Sequence, residues 1–533
     1  MSSYLLSIIT FLPLLFALVI GAIPSSMTSS LKWAALAGLL LQLLFTVVLC
    51  LQFELPAAST PYAEAFQFVE KVTWFELQMG DSRGFRVEYF MALDGISLPL
   101  IVLSSLMLVI GLISSWSVTQ KLKGYLLLYM VLATSIVGCF LALDFFLFYL
   151  FFELMLLPMF FLIGIWGGER RSYAAVKFFV YTLVGSLLIL MVMIGLYTAV
   201  QDDSGRLTFD ILMMMNPDQF REGSWLTLSS HATLWGLDLR LLAFLALMIG
   251  FAIKLPSVPF HTWLPDAHVE APTAISVVLA SLLLKVGGYG MIRIAYGIFP
   301  DAAAYWAYPL AVVGVVSLIY GSLAAMAQND FKRLVAYSSV AHMGFVLIGL
   351  ASLTKEGMSG ALFQMVSHGL TSGALFLIVG VVYDRTGNRR FENFSGLASK
   401  MPMYTFVVVI IFFASLGLPG LSGFVGEVMV LMGVFSSASS DGLLSVGIGV
   451  VATTGILLSA VYFLWALQRM FFGNYWVRER EWEPHMKDLS RRELLALIPL
   501  VILVIFLGVW PRAVLDVADV SLQQLQMTFQ NFR

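Results

Sequence analysis

"FAIKLPSVPFHTWLPDAHVEAPT", residues 251–273, follows "LLAFLALMIG" at 241–250, an apolar run suited to a lipid bilayer. Instead of continuing, the run meets Lys254, then Pro256 and Pro259, then His261, Pro265 and His268. Proline removes a backbone donor, and its ring collides with the preceding turn. In lipid the freed backbone groups must find partners in protein or water. The stretch therefore predicts a broken helix within a membrane protein, with the break lining a hydrated cavity.

The composition agrees. Of 533 residues, 60% are hydrophobic and 12% charged, where a soluble domain carries about 25% charged residues. Runs of the roughly 20 apolar residues needed to cross a bilayer recur almost from end to end. The net charge of -2 offers no basic face for nucleic acid. Cys50 and Cys139 both lie in apolar runs, leaving no metal spacing, disulfide framework or iron–sulfur ligand set. The N-terminus, "MSSYLLSIITFLPLLFALVIGAIPSS", lacks the basic region of a secretory signal and reads as a retained first helix.

Apolar runs bounded by Gly, Pro and charge predict an all-α membrane protein of about fourteen spans. They begin near residues 4, 31, 89, 123, 145, 173, 240, 272, 304, 332, 359, 403, 445 and 494. Two longer connections, about 54–88 and 201–238, are mixed and rather acidic. Lys32, Lys121, Lys123, Arg170, Arg171, Lys177, Lys332, Arg333, Arg385, Arg389, Arg390, Lys400 and the segment Arg478 to Arg492 fall on one side in this count. Basic residues mark the cytoplasmic side, so both termini are expected outside.

The twelfth span, "MYTFVVVIIFFASLGLPGLSGFVGEVMVLMGVF", is also interrupted, at Gly417, Pro419 and Gly420. Leu255-Pro256 and Leu418-Pro419 stand about five helices apart, and breaks at matching places point to inverted repeats with midplane sites. The resulting division is 1–122 for helices one to three, 123–298 for a first repeat, 299–473 for a second, and 474–533 for the last helix and tail.

Ionisable residues inside the bilayer cost at least ~2.5 kcal/mol and suggest function. Glu153, Lys254, Lys285 and Glu427 lie in four separate predicted spans. A buried lysine near an acid is poised to exchange a proton, although a fixed pair can also simply lock helix packing. His342 and His368 lie in otherwise apolar helices beside Ser, Thr and Gly, suiting either proton relay or packing. His261 and His268, with Pro265 between them, suit a helix cap or the cytoplasmic entrance better than a metal site. Asp94 and Asp144 read as helix-start carboxylates.

These residues sit in longer motifs. "KLPSVPFHTWLPDAHVEAPTAISVVLASLLLKVGGYG", "FFELMLLPMFFLIGIWGG", "AQNDFKRLVAYSSVAHMGFVLIGL" and "LPGLSGFVGE" resemble the antiporter-like subunits of respiratory complex I. The likeness covers nearly the whole chain and is weakest in the first 80 and last 60 residues. It implies a lysine in the twelfth span of the L-type and N-type members, from which Glu427 sets this chain apart. It also implies a long lateral helix beyond the common core in the L-type member, whereas the sequence here runs only a short way past its expected fourteenth span.

The resemblance further implies a non-redox, proton-translocating subunit. Glu153 and Lys254 become an input pair, Lys285 the central carrier, Glu427 the output relay, and His342 and His368 relays between them. No cofactor is expected in this chain; NADH, FMN, iron–sulfur clusters and quinone belong to partner subunits. The expected neighbours are the L-type and N-type chains in a bacterial inner membrane. Related readings are a multi-subunit Na⁺/H⁺ antiporter and a membrane-bound hydrogenase; a reading of another class is a passive scaffold.

Overall fold

The structure, a computed structural model, describes residues 4–57, 59–79, 83–230, 232–440 and 442–530. Among these residues, 13 helices are long and apolar enough to cross a membrane. The first six spans are Leu5–Ala22, Thr28–Gln52, Ser97–Ser117, Leu122–Leu141, Phe145–Trp166 and Arg171–Ala199. The eighth to eleventh are Thr273–Tyr296, Pro300–Met326, Phe331–Ala351 and Lys355–Thr386, and the thirteenth and fourteenth are Val446–Phe471 and Arg491–Val509. The seventh consists of Leu239–Lys254 and the short helix Trp263–Glu270. The twelfth consists of Pro402–Ser415 and Ser422–Ser440. Both predicted breaks are therefore present, and a count of fourteen crossings follows when each broken helix is taken as one.

Local chemistry sets the ends. Asp144 caps the fifth span by accepting from Leu147 N at 3.0 Å, and Thr354 caps the eleventh by accepting from Gly357 N at 3.1 Å. Ser490 and Glu493 form a reciprocal capping box at the fourteenth. Gly387 ends the eleventh with φ 65°, a conformation that favours glycine.

The eighth and eleventh spans are buried along their apolar windows, whereas the first and second leave one side open. A helix apolar all round belongs in the middle of a bundle. Polar side chains on the two central helices are thereby enclosed in protein, which is what positions the site.

One region differs from the sequence expectations, and two more carry features that the sequence reading did not address. The third span begins at Ser97 rather than near 89, because Arg83–Leu93 pairs antiparallel with Gln67–Met79 in a β-hairpin. Its aromatic and β-branched residues favour a strand, but their apolar count merged with the helix that follows. The hairpin is fastened to its neighbours by Lys71–Asp210 at 2.6 Å and by Glu88 N donating to Asp144 Oδ2 at 3.1 Å. The tail after the fourteenth span forms a further helix, Arg512–Gln530. The eighth span alternates between α and π geometry: π over Leu279–Leu283, α over Leu284–Gly290, and π again over Met291–Tyr296.

The basic loops do meet at one end of the bundle. Lys177 and Arg333 share Asp266 at 2.7 and 3.3 Å, and Arg389 pairs with Asp330 at 2.7 Å. The hairpin and C-terminal helix occupy the other end, where Lys355 pairs with Asp519 at 2.7 Å.

Candidate functional site

Glu153 stands at an irregularity in its own helix. The regular helical hydrogen bonding of the fifth span is interrupted at Met155, between Phe145–Leu154 and Leu156–Trp166, although Met155 keeps helical backbone angles. Pro158 cannot donate to the Leu154 carbonyl, and Glu153 lies half-buried just before the resulting turn.

Lys254 is the last residue of the first half of the seventh span, where a helix's negative end favours a cation. Its Nζ donates to the Phe152 carbonyl at 3.2 Å and lies 3.4 Å from the centroid of the Phe152 ring. A cation over an aromatic face is stabilised by the ring quadrupole. No carboxylate lies within 4.0 Å of Lys254 among the described residues, so Glu153 and Lys254 are neighbours without a direct ion pair. The expected input pair is thus held apart, with the lysine on the carbonyl next to the acid.

Beyond Lys254 the freed backbone groups are taken up by protein. Val258 N donates to Ser317 Oγ at 2.9 Å, Ser257 N to Ala252 O at 3.1 Å, and Trp263 Nε1 to Ile253 O at 2.8 Å. These bonds satisfy groups that the sequence reading assigned to a hydrated cavity.

The eighth span then packs backbone to backbone against the break. A Cβ at Gly287 would meet Leu255 N at 2.7 Å and Phe251 O at 2.8 Å, so only glycine permits this approach. Two residues earlier, Lys285 is wholly buried. Its Nζ donates to Ala280 O at 2.6 Å, a carbonyl in the π segment, and lies 2.7 Å from His368 Nδ1. A π turn inside an α-helix frequently marks a functional position.

His368, on the eleventh span, faces His342 on the tenth, with ring centroids 5.6 Å apart. His342 Nδ1 lies 2.7 Å from Ser338 O, and Nε2 lies 2.8 Å from Ser415 O. A neutral imidazole donates from only one nitrogen, whereas a protonated ring donates from both. The two carbonyls therefore suit a ring that can hold an extra proton.

Glu427 completes the group. It is 1% exposed, and its Oε1 lies 3.7 Å from His342 Nε2. Gly417, at the break in the twelfth span, has φ 78°, and its missing side chain leaves room for the Glu427 carboxylate.

Lys285, His368, His342 and Glu427 thus form a buried file across spans eight, eleven, ten and twelve. Each member can bind and release a proton, and the contacts between them are 2.7 Å at one end and 3.7 Å at the other. Lys254 adjoins the file through the contact between the seventh and eighth spans.

Some features were hidden or misplaced. The Ser338 and Ser415 carbonyls left no trace in side-chain chemistry. His261 packs edge-on against Tyr320 at 5.0 Å, and His268 lies flat on Phe376 at 4.3 Å, so neither ring caps a helix. Asp144 and Asp94 occupy the expected helix starts, but Asp94 also pairs with Arg293 at 2.5 Å. Arg293 was passed over although its place in "KVGGYGMIRIAYG", eight residues after Lys285, was a legible signal.

Comparison with known proteins extends this geometry. The family described as "NADH:quinone oxidoreductase/Mrp antiporter, TM" matches residues 142–459, which include every member of the file. "NADH-quinone oxidoreductase subunit M" of Rhodobacter capsulatus is 40% identical over 529 residues, covering 98% of this chain and 97% of that protein. Its Rickettsia conorii counterpart is 37% identical over 531 residues, covering 98% and 99%. A chain of respiratory complex I from Thermus thermophilus superposes with a TM-score of 0.78 at 28% identity, covering 100% of both chains. A chain of the Mrp complex from Dietzia sp. gives 0.79 at 20% identity, covering 100% of this chain and 98% of that one, a likeness of fold.

The fold and the family match define an antiporter-like membrane subunit. The chain belongs to the NADH-quinone oxidoreductase subunit M family.

Proposed function

We propose that this chain is a proton-translocating, non-redox membrane subunit of an NADH:quinone oxidoreductase, in which the buried file carries the proton. The observation that carries this reading is the 2.7 Å contact between Lys285 and His368 inside a fully enclosed bundle. Lys254 receives a proton, Lys285 stores it, His368 and His342 pass it on, and Glu427 releases it toward the outer side. Glu153, half-buried beside Lys254, is placed to take up the state of a neighbouring chain. When Glu153 approaches the ammonium, Lys254 holds its proton; when it withdraws, the proton moves to Lys285. Moving one charge against 100 mV requires ~2.3 kcal/mol, within the range that forming and breaking one buried ion pair supplies.

The neighbours in this reading are the L-type and N-type antiporter-like chains. Quinone, NADH, FMN and iron–sulfur clusters belong to other subunits of the assembly. The membrane is the bacterial inner membrane with both termini outside, as the shared basic end of the bundle supports. Residues 123–298 and 299–473 act as two inverted halves, each with one broken helix, flanked by 1–122 and 474–533. The resemblance to the Mrp chain is one of fold and gives no reason to assign cation exchange.

The test is Lys285→Ala in the intact complex, measuring protons moved per electron pair beside the quinone reductase rate. A lower ratio in an assembled complex is expected. An unchanged ratio overturns the reading.

A further inference from the structure

The eighth span carries a second charged group that the file does not use. Arg293 follows Lys285 by eight residues, with Tyr289 midway, so the three recur at four-residue steps toward the end that carries the hairpin and C-terminal helix. Arg293 is 1% exposed and pairs with Asp94, which is wholly buried. Its Nε donates to the Tyr289 hydroxyl at 3.3 Å, and Nη1 donates to the Tyr62 hydroxyl. Ser97 Oγ donates to the same Tyr289 hydroxyl at 3.3 Å. The C-terminal helix covers this cluster. Gly95 N donates to Ser521 Oγ at 3.3 Å, and Phe529 meets Tyr296 edge-on at 5.9 Å.

Polar groups leading from a proton-bearing lysine toward the outer surface form a short circuit unless something closes them. A guanidinium keeps its charge at every working pH. Fixed in a narrow passage, such a charge repels protons and other cations. Asp94 offsets the cost of burying it and holds it in place.

We propose that Arg293, anchored by Asp94, is an electrostatic seal at the outer end of the eighth span. It keeps the proton on Lys285 from escaping directly and so directs it sideways to His368. This rests on the proton-carrying role of Lys285. Arg293 itself carries no proton; it sets the direction of transfer.

The intact complex in proteoliposomes provides the test. One measurement is passive proton permeability under an imposed potassium diffusion potential without turnover; the other is protons moved per electron pair. Asp94→Asn with Arg293→Met replaces the pair by neutral groups of similar size. Severalfold higher permeability and a lower proton ratio are expected, with quinone reduction continuing. Arg293→Lys, which places an exchangeable proton beside Asp94 in a buried site, should leak more than the parent. Adding Lys285→Ala to the double variant should abolish the leak.

An assembled double variant as impermeable as the parent overturns the seal, as does a leak that persists without Lys285. If the double variant does not assemble, Arg293→Gln alone carries the same expectations. Lys285→Ala alone, run in parallel, separates the two ideas. If it pumps normally, the proton-carrying role fails; if it does not pump while the double variant stays tight, only the seal fails.

Discussion

In the seventh span the charge stands at the break itself, on the last residue of the first half-helix, Lys254. In the twelfth span the charge lies beyond the break, on Glu427 of the second half-helix, and folds back over Gly417. The pairing follows helix electrostatics: a cation at a negative end, and an anion on the half whose positive end faces the break. The surroundings differ as well. Leu255, Pro256 and Ser257 are buried, Leu255 N and Ser257 N bond back to the first half-helix, and Val258 N bonds to Ser317 of the ninth span, whereas Leu418, Pro419 and Gly420 are exposed on the single chain. The lysine side is fixed by protein; the glutamate side is held by backbone conformation and by the approach of Gly508 from the fourteenth span. The two breaks are not interchangeable: one ends on a buried cation, and the other makes room for a buried carboxylate.

The strongest way to break this contrast is Gly417→Val. The new side chain must adopt φ 78° and occupy the space of the Glu427 carboxylate. The backbone penalty alone is about 1–3 kcal/mol, so most proton translocation should disappear; vesicle proton uptake that stays normal would show that the fold-back of Glu427 is incidental. Glu427→Gln keeps the shape and removes the charge. A severalfold fall in protons per electron pair is expected with assembly intact on a native gel.

Ser317→Ala probes the other break by stranding Val258 N, a loss of about 1–3 kcal/mol. Thermal unfolding of the complex should begin a few degrees lower, with the proton ratio reduced less than by Glu427→Gln. The smallest effect is expected from Ser422→Ala. It removes the 2.8 Å bond from Ser367 to the start of the second half of the twelfth span, worth about 1 kcal/mol. Only a slight shift in thermal stability should follow, and a loss of pumping equal to that of Glu427→Gln would reverse the ranking.

The sequence exposed much of this arrangement because membranes punish polar residues. Lys254, Lys285, Glu153 and Glu427 stand out against lipid-compatible neighbours, and Pro256 and Pro419 mark the two breaks. What it did not expose depends on three-dimensional proximity. The contact of His368 with Lys285 joins residues 83 positions apart, and the Ser415 carbonyl at His342 exists only because the twelfth span ends its first half there. The hairpin was missed because most of it read as a mixed connection, while its last residues, from Tyr89 to Leu93, add to an apolar count as readily in a strand as in a helix. The π segments around Lys285 depend on how its carbonyls are shared, which residue types alone do not declare.

The central claim is that the two halves form one path from Lys285 to Glu427. Its most direct test is a double-mutant cycle on protons moved per electron pair in the assembled complex, using Lys285→Met, Glu427→Gln and the pair together. Residues that serve one obligatory path are strongly non-additive, so the double variant should lose no more than the more damaging single one. Losses that add would mean that each half moves protons independently and would contradict a continuous file.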